Sequence, residues 1–485
     1  MLCVVIKGPT FEEAHQQIAQ AALHADVVEL RLDGFTSRDL AADLKKLRSH
    51  FPIPMIFTLR ACNKGQSEGI RLATIRSLAE LNPEYLDLES HISPRFIEEI
   101  ASQFPEIKLI LSYHHFTETP DNLEAIYQDM QKIPARFYKI AVTAKNSLDA
   151  LRLMCWANPS DGKLIAISMG CEGQVSRILG PVMGCPITYT ALAADQQSAP
   201  GQLTATTLIE RYHHRSLNPA TALYGLIGHP VDQSISDETH NSWITSCGLD
   251  AVYVKIPVRP SELSDFLHYA KQLPFQGFSV TMPLKEAILP LLDAIDSHAL
   301  DIGAINTLCI EEGKIFGYNT DGMGALNTIE RQCLVKGKRI VIMGAGGSAK
   351  AIAYEAHRRG GLVTIVNRDV EKAEQIARRL SCVGRGLCDM ARCAEEGYEI
   401  LINCIPAGWP MAADVILPQA IVMDIVTKPK ETLLLKLAKE KGCRVIYGYQ
   451  MFIEQALGQF HLWFKDHSTI QDSRSFLEQK VRDCL

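Results

Sequence analysis

Phe137-Tyr-Lys139-Ile-Ala-Val-Thr143 is a short run of aromatic, aliphatic and β-branched residues with a lysine in its middle. Such a run reads as a strand buried on both faces. Seven more β-rich runs accompany it in the first ~200 residues: Cys3–Lys7, Val27–Asp33, Met55–Arg60, Tyr85–Glu89, Lys108–His114, Leu164–Met169 and Ile187–Leu192. Most intervals between them carry apolar residues at helical spacing, as in Thr10–His24, Ser37–His50, Ile70–Leu81, Pro94–Phe104 and Leu123–Lys132. Strands alternating with helices build right-handed βα units on a parallel sheet. Eight such units predict a compact (β/α)8 barrel over residues 1–212.

The polar, proline-containing stretch His213–Thr221 breaks this pattern and reads as a linker, spanning residues 213–221. A second α/β unit is expected over residues 222–326, opening with the β-rich run Leu223–Ile227. A third, over residues 327–449, contains the strand Lys338-Arg-Ile-Val-Ile-Met343 and then the turn Gly344-Ala345-Gly346-Gly347-Ser348-Ala349. A helical pattern follows through Arg359, and Leu362–Val366 is the next strand. The last apolar-periodic segment, Gln450–Phe464, reads as a terminal helix within residues 450–485. The fold class is α/β: a TIM barrel fused to two further α/β domains, the second of Rossmann type.

Composition narrows the function. Of 485 residues 47% are hydrophobic, which excludes wholesale disorder. Lys+Arg 49 against Asp+Glu 55 gives a net charge of −6, which argues against nucleic acid or an anionic membrane as the main partner. No apolar run approaches the ~18–20 residues of a membrane-spanning helix. The start, Met1-Leu-Cys-Val-Val-Ile-Lys7, has no basic segment or cleavage site and reads as a first strand. Fourteen cysteines are scattered, with no C-x-x-C and no zinc-type Cys/His spacing. A reducing, cytoplasmic setting and no metal site are therefore expected.

Barrel chemistry clusters at the carboxyl ends of the strands. Glu29 and Arg31 alternate on the second strand, Arg60 ends the third, Asp87 and Glu89 lie on the fourth, His114 and His115 end the fifth, and Lys139 sits inside the sixth. A lysine in an apolar strand is costly unless paired or neutralised. A neutral amine can form an imine with a ketone, which acidifies the adjacent C–H for a nearby imidazole to remove. A lone strand lysine is usually an edge residue and a lone histidine usually structural. Several inward strand-end charges together are harder to explain that way.

In the third unit, the Gly344–Ala349 turn follows a strand and opens a helix, the setting in which backbone N–H groups meet a pyrophosphate. The next strand ends in Asn367-Arg368, and a guanidinium there favours the 2′-phosphate of NADP, although Asp369 follows it directly. Upstream, Lys285 and Asp321 could pair only through tertiary folding; together they could move a proton at a carbinol oxygen during hydride transfer. Their plainer reading is a surface ion pair of little energetic value.

The segments Glu29-Leu-Arg31-Leu-Asp33, Ser112-Tyr-His114, Lys139-Ile-Ala-Val142, Val175-Ser-Arg177 and Ser198-Ala-Pro-Gly-Gln202 resemble the signatures of type I 3-dehydroquinate dehydratase. The resemblance implies an imine between Lys139 and the C3 ketone of 3-dehydroquinate, with His114 removing the C2 proton and protonating the departing hydroxyl. It further implies that Glu29, Arg31, Arg60, Arg177, Ser198 and Gln202 hold the substrate, and that Glu68 orients His114. The loop from Arg60 to Glu68 is longer than in the family, and Ile70 stands where the family has its second glycine.

Residues from 221 onward resemble shikimate dehydrogenase through Gly228-His-Pro230, Ser234-Ile-Ser236, His240-Asn241, Ser279-Val-Thr281, Asn306-Thr307, Asn319-Thr-Asp321, the glycine-rich turn and Gly448 through Gln455. This implies a substrate domain completed by the terminal helix, with Lys285 and Asp321 catalytic. Ser234, Ser236, Thr281, Asn306 and Gln455 would bind shikimate. Gly344, Ala345, Gly346, Gly347, Ser348, Ala349, Asn367, Arg368, Ile425 and Gly448 would bind NADP. Ser279, Asp237 and Thr427 depart from the family pattern. Because the product of the first half is the substrate of the second, the expected function is bifunctional: 3-dehydroquinate to 3-dehydroshikimate, then NADPH-dependent reduction to shikimate. A quinate-preferring or single-activity variant is the enzyme alternative. A non-catalytic metabolite sensor is the other, and the joint presence of Lys139, His114, Lys285 and Asp321 speaks against it.

Overall fold

The computed structural model describes residues 1–61, 67–158, 160–406, 411–465 and 473–485. The chain divides into two compact units, Met1–Ala222 with Asp250–Ile256 and Asp265–Pro274, and Leu223–Leu249 with Pro257–Ser264 and Phe275–Leu485.

In the first unit eight strands form one parallel sheet: β1 (Leu2–Ile6), β2 (Val27–Arg31), β3 (Met55–Thr58), β4 (Tyr85–Glu89), β5 (Lys108–His115), β6 (Phe137–Thr143), β7 (Leu164–Met169) and β8 (Thr188–Thr190). β8 pairs with β1, β1 with β2, and the ladder continues in chain order to β7. The expected barrel is thus present as a near-closed cylinder. Its helices α1 (Phe11–Ala21), α2 (Leu40–His50), α3 (Glu68–Ala79), α4 (Pro94–Gln103), α5 (Leu123–Met130) and α6 (Ser147–Ala157) fill the first six intervals between strands. Several start on side-chain caps that satisfy an orphan amide: Thr10 accepts from Glu13, Asp39 from Ala42, Ser67 from Ile70 and Asn146 from Asp149. Cys3, Val5, Val27, Ile56, Ile110, Phe137, Ala141, Ile165 and Ile187 pack into one apolar cluster inside the sheet. Phe137 and Ala141 flank Lys139 at a period of two, so the lysine faces that same interior.

The second unit holds two α/β arrangements. In the first, Phe275–Val280 runs parallel to Ala222–Gly228 and antiparallel to Thr307–Glu311, which pairs antiparallel with Lys314–Tyr318. In the second, six parallel strands stand in the order Val383–Gly386, Leu362–Asn367, Arg339–Met343, Ile400–Asn403, Ile421–Asp424 and Arg444–Ile446. In chain order this is 3-2-1-4-5-6, the doubly wound dinucleotide-binding topology. The strand order reverses between Arg339–Met343 and Ile400–Asn403, where the glycine-rich turn leaves the sheet.

The terminal helix differs from expectation. Gly448–Trp463 is helical, Phe464 leaves the helical region at φ −123° and ψ 46°, and a separate helix runs over Ser473–Cys484. Among the described residues no helix is long and apolar enough to cross a membrane, and no three His, Cys, Asp or Glu side chains are grouped to hold a metal ion.

Candidate active sites

Inside the barrel, Lys139 is 4% exposed and donates to Asp87 Oδ2 at 2.5 Å, with Glu29 Oε1 3.7 Å away. Asp87 also accepts from Ser112 at 2.6 Å and from Arg60 at 3.0 Å, and Arg60 donates to Ser112 at 2.7 Å. Thr58 donates to Glu29 at 2.8 Å. Of the two ways a strand lysine can be accommodated, pairing or neutralisation, the structure shows pairing: the amine is held in a buried ion pair. Burial opposes ionisation of Asp87, yet Arg60 and Lys139 hold its carboxyl below the usual range. The ring of Tyr189 lies beneath the amine, its centroid 4.3 Å from Nζ.

His114 stands at the end of β5. Burial, with the Arg60 and Lys139 cations beside it, pushes its imidazole well below the usual range, so it is neutral near pH 7. Arg177 is buried, donates to the Tyr189 carbonyl at 3.3 Å, and leaves Nε with no partner. Burial pulls its guanidinium down to about 10. Arg31 is paired with Asp33 at 3.0 Å. Ser198 donates to Gln202 Oε1 from its amide at 2.8 Å and from its hydroxyl at 3.1 Å. Glu68 lies elsewhere: it opens α3 on the surface, bound to Arg71 at 2.7 Å, and Arg71 also holds Glu89 at 2.9 Å. The structure pairs Glu68 with Arg71 and not with His114; among the described residues, Asp87 is a carboxylate that acts on that imidazole. The preceding loop residues 62–66 lie outside the described residues.

In the second unit, folding does pair Lys285 with Asp321. Asp321 is buried at the start of its helix and accepts from Asn306 Nδ2 at 2.9 Å and from Ser348 at 3.0 Å. Lys285 donates to Ser348 Oγ at 2.9 Å. Asn306 also reaches Thr320 at 2.9 Å and Gln455 at 3.3 Å, while Ser234 and Ser236 share a hydrogen bond at 2.8 Å. Thr281 packs its methyl group against Gly228, where an added Cβ would lie 2.3 Å from it.

The nucleotide-type turn borders a cleft of about 500 Å³ lined by Ala345, Gly346, Lys350, Asn367, Arg368, Lys372 and Arg379, among others. Gly344 has φ +113° and Gly346 has open space where a Cβ would stand. Arg368 is exposed, and Asp369 turns its carboxylate to the amide of Lys372 as the cap of the next helix. Gly448 is seated against Ile425 and Val426, leaving no room for a side chain.

Comparison with known proteins gives three family matches along the chain. Type I 3-dehydroquinase matches residues 2–219, the shikimate dehydrogenase substrate binding domain residues 226–308, and shikimate / quinate 5-dehydrogenase residues 328–438. The shikimate biosynthesis protein AroDE of Chlamydia pneumoniae is 38% identical over 480 residues, covering 98% of each chain. The chain belongs to the bifunctional 3-dehydroquinate dehydratase and shikimate dehydrogenase family. It thus joins a lyase and an oxidoreductase of shikimate biosynthesis in one polypeptide. The chloroplastic bifunctional enzyme of Arabidopsis thaliana is 33% identical over 494 residues, with 96% of this chain and 82% of that one covered. Among solved structures, shikimate dehydrogenase of Aquifex aeolicus matches with TM-score 0.51 and 35% identity over 55% of this chain and 99% of its own. Shikimate 5-dehydrogenase of Thermus thermophilus, solved with NADP(H) and shikimate, gives 0.50 and 30% over 54% and 100%.

Two groups in these halves went unassigned from sequence. In the dehydratase half, Asp87 is the hub joining Arg60, Ser112 and Lys139; its alternation with Glu89 on β4 was the available signal. In the dehydrogenase half, Gln459 binds the Asn306 carbonyl and Thr307 Oγ1 at 3.1 Å and accepts from Ser279 at 3.0 Å. Its position four residues after Gln455, on the same helical face, was the signal there.

Proposed function

We propose that the dehydratase half works through a Schiff base on Lys139. The observation that carries this reading is a buried amine inside the barrel with a neutral imidazole, His114, in its field. The ammonium first loses a proton, and His114 is the available base. The amine adds to the C3 ketone of 3-dehydroquinate, and His114 returns its proton to the carbinolamine hydroxyl, which departs as water and leaves a protonated imine beside a neutral imidazole. Its positive charge remains where the ammonium charge was, facing Asp87 and Glu29, so the carboxylates that pair the resting lysine also stabilise the intermediate. His114 takes the C2 proton and returns it to the C1 hydroxyl, which departs as water. Hydrolysis of the imine then releases 3-dehydroshikimate.

Arg177 is suited to the substrate carboxylate because its buried guanidinium has an unsatisfied Nε and no carboxylate beside it among the described residues. Arg31, Ser198 and Gln202 frame the substrate, with Arg60 held toward it by Asp87. Treatment with borohydride in the presence of 3-dehydroquinate is expected to add the reduced substrate mass to the peptide containing Lys139. An unmodified Lys139 peptide with modification elsewhere would sink the imine.

For the dehydrogenase half, Lys285 gives a proton to the carbonyl oxygen of 3-dehydroshikimate, and Asp321 holds the ammonium in place. Ser234, Ser236, Thr281, Asn306 and Gln455 are the groups for the substrate hydroxyls and carboxylate. The residues present fit NADPH: open backbone at Gly346 for the pyrophosphate, and Arg368 with Lys372 for a 2′-phosphate. NADPH, when bound, supplies the hydride. The Asp369 carboxylate caps the next helix at the Lys372 amide, an orientation that supports NADP. Arg368→Ala is expected to raise KM for NADPH by roughly 10–100-fold and to change KM for NADH little, the scale of one charge-assisted phosphate contact. Equal losses for both cofactors would refute the assignment.

A further inference from the structure

The glycine-rich turn does more than border the cleft: it touches the proton-donating pair at two points. Gly347 lies against the stem of Lys285, so close that an added Cβ would stand 2.9 Å from the lysine Cβ and 3.1 Å from Cδ. One residue on, in the first turn of helix Gly347–Arg358, Ser348 Oγ accepts from Lys285 Nζ at 2.9 Å and donates to Asp321 Oδ2 at 3.0 Å. Lys285, Asp321 and Ser348 form a closed triangle in which the single hydroxyl uses both its donor and its acceptor capacity. The three residues come from different segments, with Ser348 27 positions from Asp321 and 63 from Lys285.

We propose that Ser348 is a positioning residue for reduction, holding Lys285 against Asp321 from the dinucleotide-binding turn itself. The proposal rests on the reading of Lys285 as proton donor. The hydroxyl supports the charged form of both partners: its lone pair favours the ammonium and its O–H favours the carboxylate. Removing it withdraws that support from the ammonium. Reduction needs the ammonium, so its rate falls at high pH, where the ammonium is lost. Without Ser348 the fall begins at lower pH. Among the described residues, neutral Asn306 and the Cys404 thiol, which burial and then Asp424 and Asp321 keep protonated, also lie by the pair, and Glu286, next to Lys285, is itself paired with Lys350.

The test is kcat for reduction of 3-dehydroshikimate as a function of pH in the full-length enzyme and in Ser348→Ala and Ser348→Thr. For Ser348→Ala, kcat is expected to fall roughly tenfold with KM for 3-dehydroshikimate within about twofold, and the basic limb to move down by about one pH unit. Ser348→Thr, which keeps the hydroxyl, restores the limb. A basic limb that stays in place in Ser348→Ala, whether activity is unchanged or only KM for NADPH rises, would overturn the proposal, because the hydroxyl would then serve the cofactor alone or nothing. A limb shift of the same size in both variants, although Ser348→Thr keeps the hydroxyl, would point to packing and overturn it equally. Lys285→Ala separates the two levels: if that variant keeps its kcat, the reading of the pair fails, whereas an inactive Lys285→Ala with an unmoved Ser348→Ala limb removes only the role of Ser348.

Discussion

Lys139→Ala is expected to lower dehydration of 3-dehydroquinate by roughly four orders of magnitude or more, the scale on which loss of a covalent nucleophile acts. NADPH-dependent reduction of added 3-dehydroshikimate is expected to persist within about twofold of the parent enzyme. The two assays on one preparation separate chemistry from folding. The barrel should tolerate the change: breaking a buried ion pair is costly when it strands a charge, on the order of 3–5 kcal/mol. Here Asp87 keeps Arg60 at 3.0 Å and Ser112 at 2.6 Å, and Glu29 keeps Thr58 at 2.8 Å. Retained dehydration would mean that the amine is structural and that the barrel uses a route with no imine. Joint loss of both activities would show instead that the substitution unfolds more than its own site.

That expectation rests on a geometry only partly legible in the sequence. The position of Lys139 was readable because a run buried on both faces has few places for a charge, and β6 has the expected bounds, as do β4 and β7. What held the amine was not readable. Asp87 lies 52 residues away, and their meeting depends on two neighbouring ladders bringing β4, β5 and β6 together. Sequence reasoning therefore treated burial as the dominant influence on the lysine, whereas the pair with Asp87 and Glu29 answers it. Glu68 shows the reverse case. Motif order placed it beside His114, but as a residue opening a helix it lies within reach of Arg71, three residues on, and that local pair is what the structure contains.

Element ends show similar limits. β8 is only Thr188–Thr190, inside an expected run of Ile187–Leu192, because strand pairing with β1 covers just three residues. Helix Ser473–Cys484 buries only Ser473, Leu477 and Val481, too narrow an apolar stripe to stand out by periodicity. The strand, glycine-rich turn and helix were fully legible, because the three are contiguous. The turn's contact with Lys285 was not, since it joins segments separated by more than 60 residues.

Lys285→Ala is the second large effect: kcat for reduction of 3-dehydroshikimate is expected to fall by roughly 10²–10⁴-fold, the usual contribution of a positioned general acid. KM should change by less than about threefold, since Ser234, Ser236, Thr281, Asn306 and Gln455 remain in place for the substrate. Asp321 is not stranded by the change, because it still accepts from Asn306 at 2.9 Å, from Ser348 at 3.0 Å and, at its own amide, is held by Asn319 at 3.0 Å. Fed 3-dehydroquinate and NADPH, the variant should convert the first substrate at the parent rate and accumulate 3-dehydroshikimate, with oxidation of NADPH nearly stopped. Chromatography of the reaction mixture against time distinguishes this from a general loss of activity. If shikimate forms at the parent rate, the proton comes from another donor, and Asp321 with Ser348 would become the groups to test.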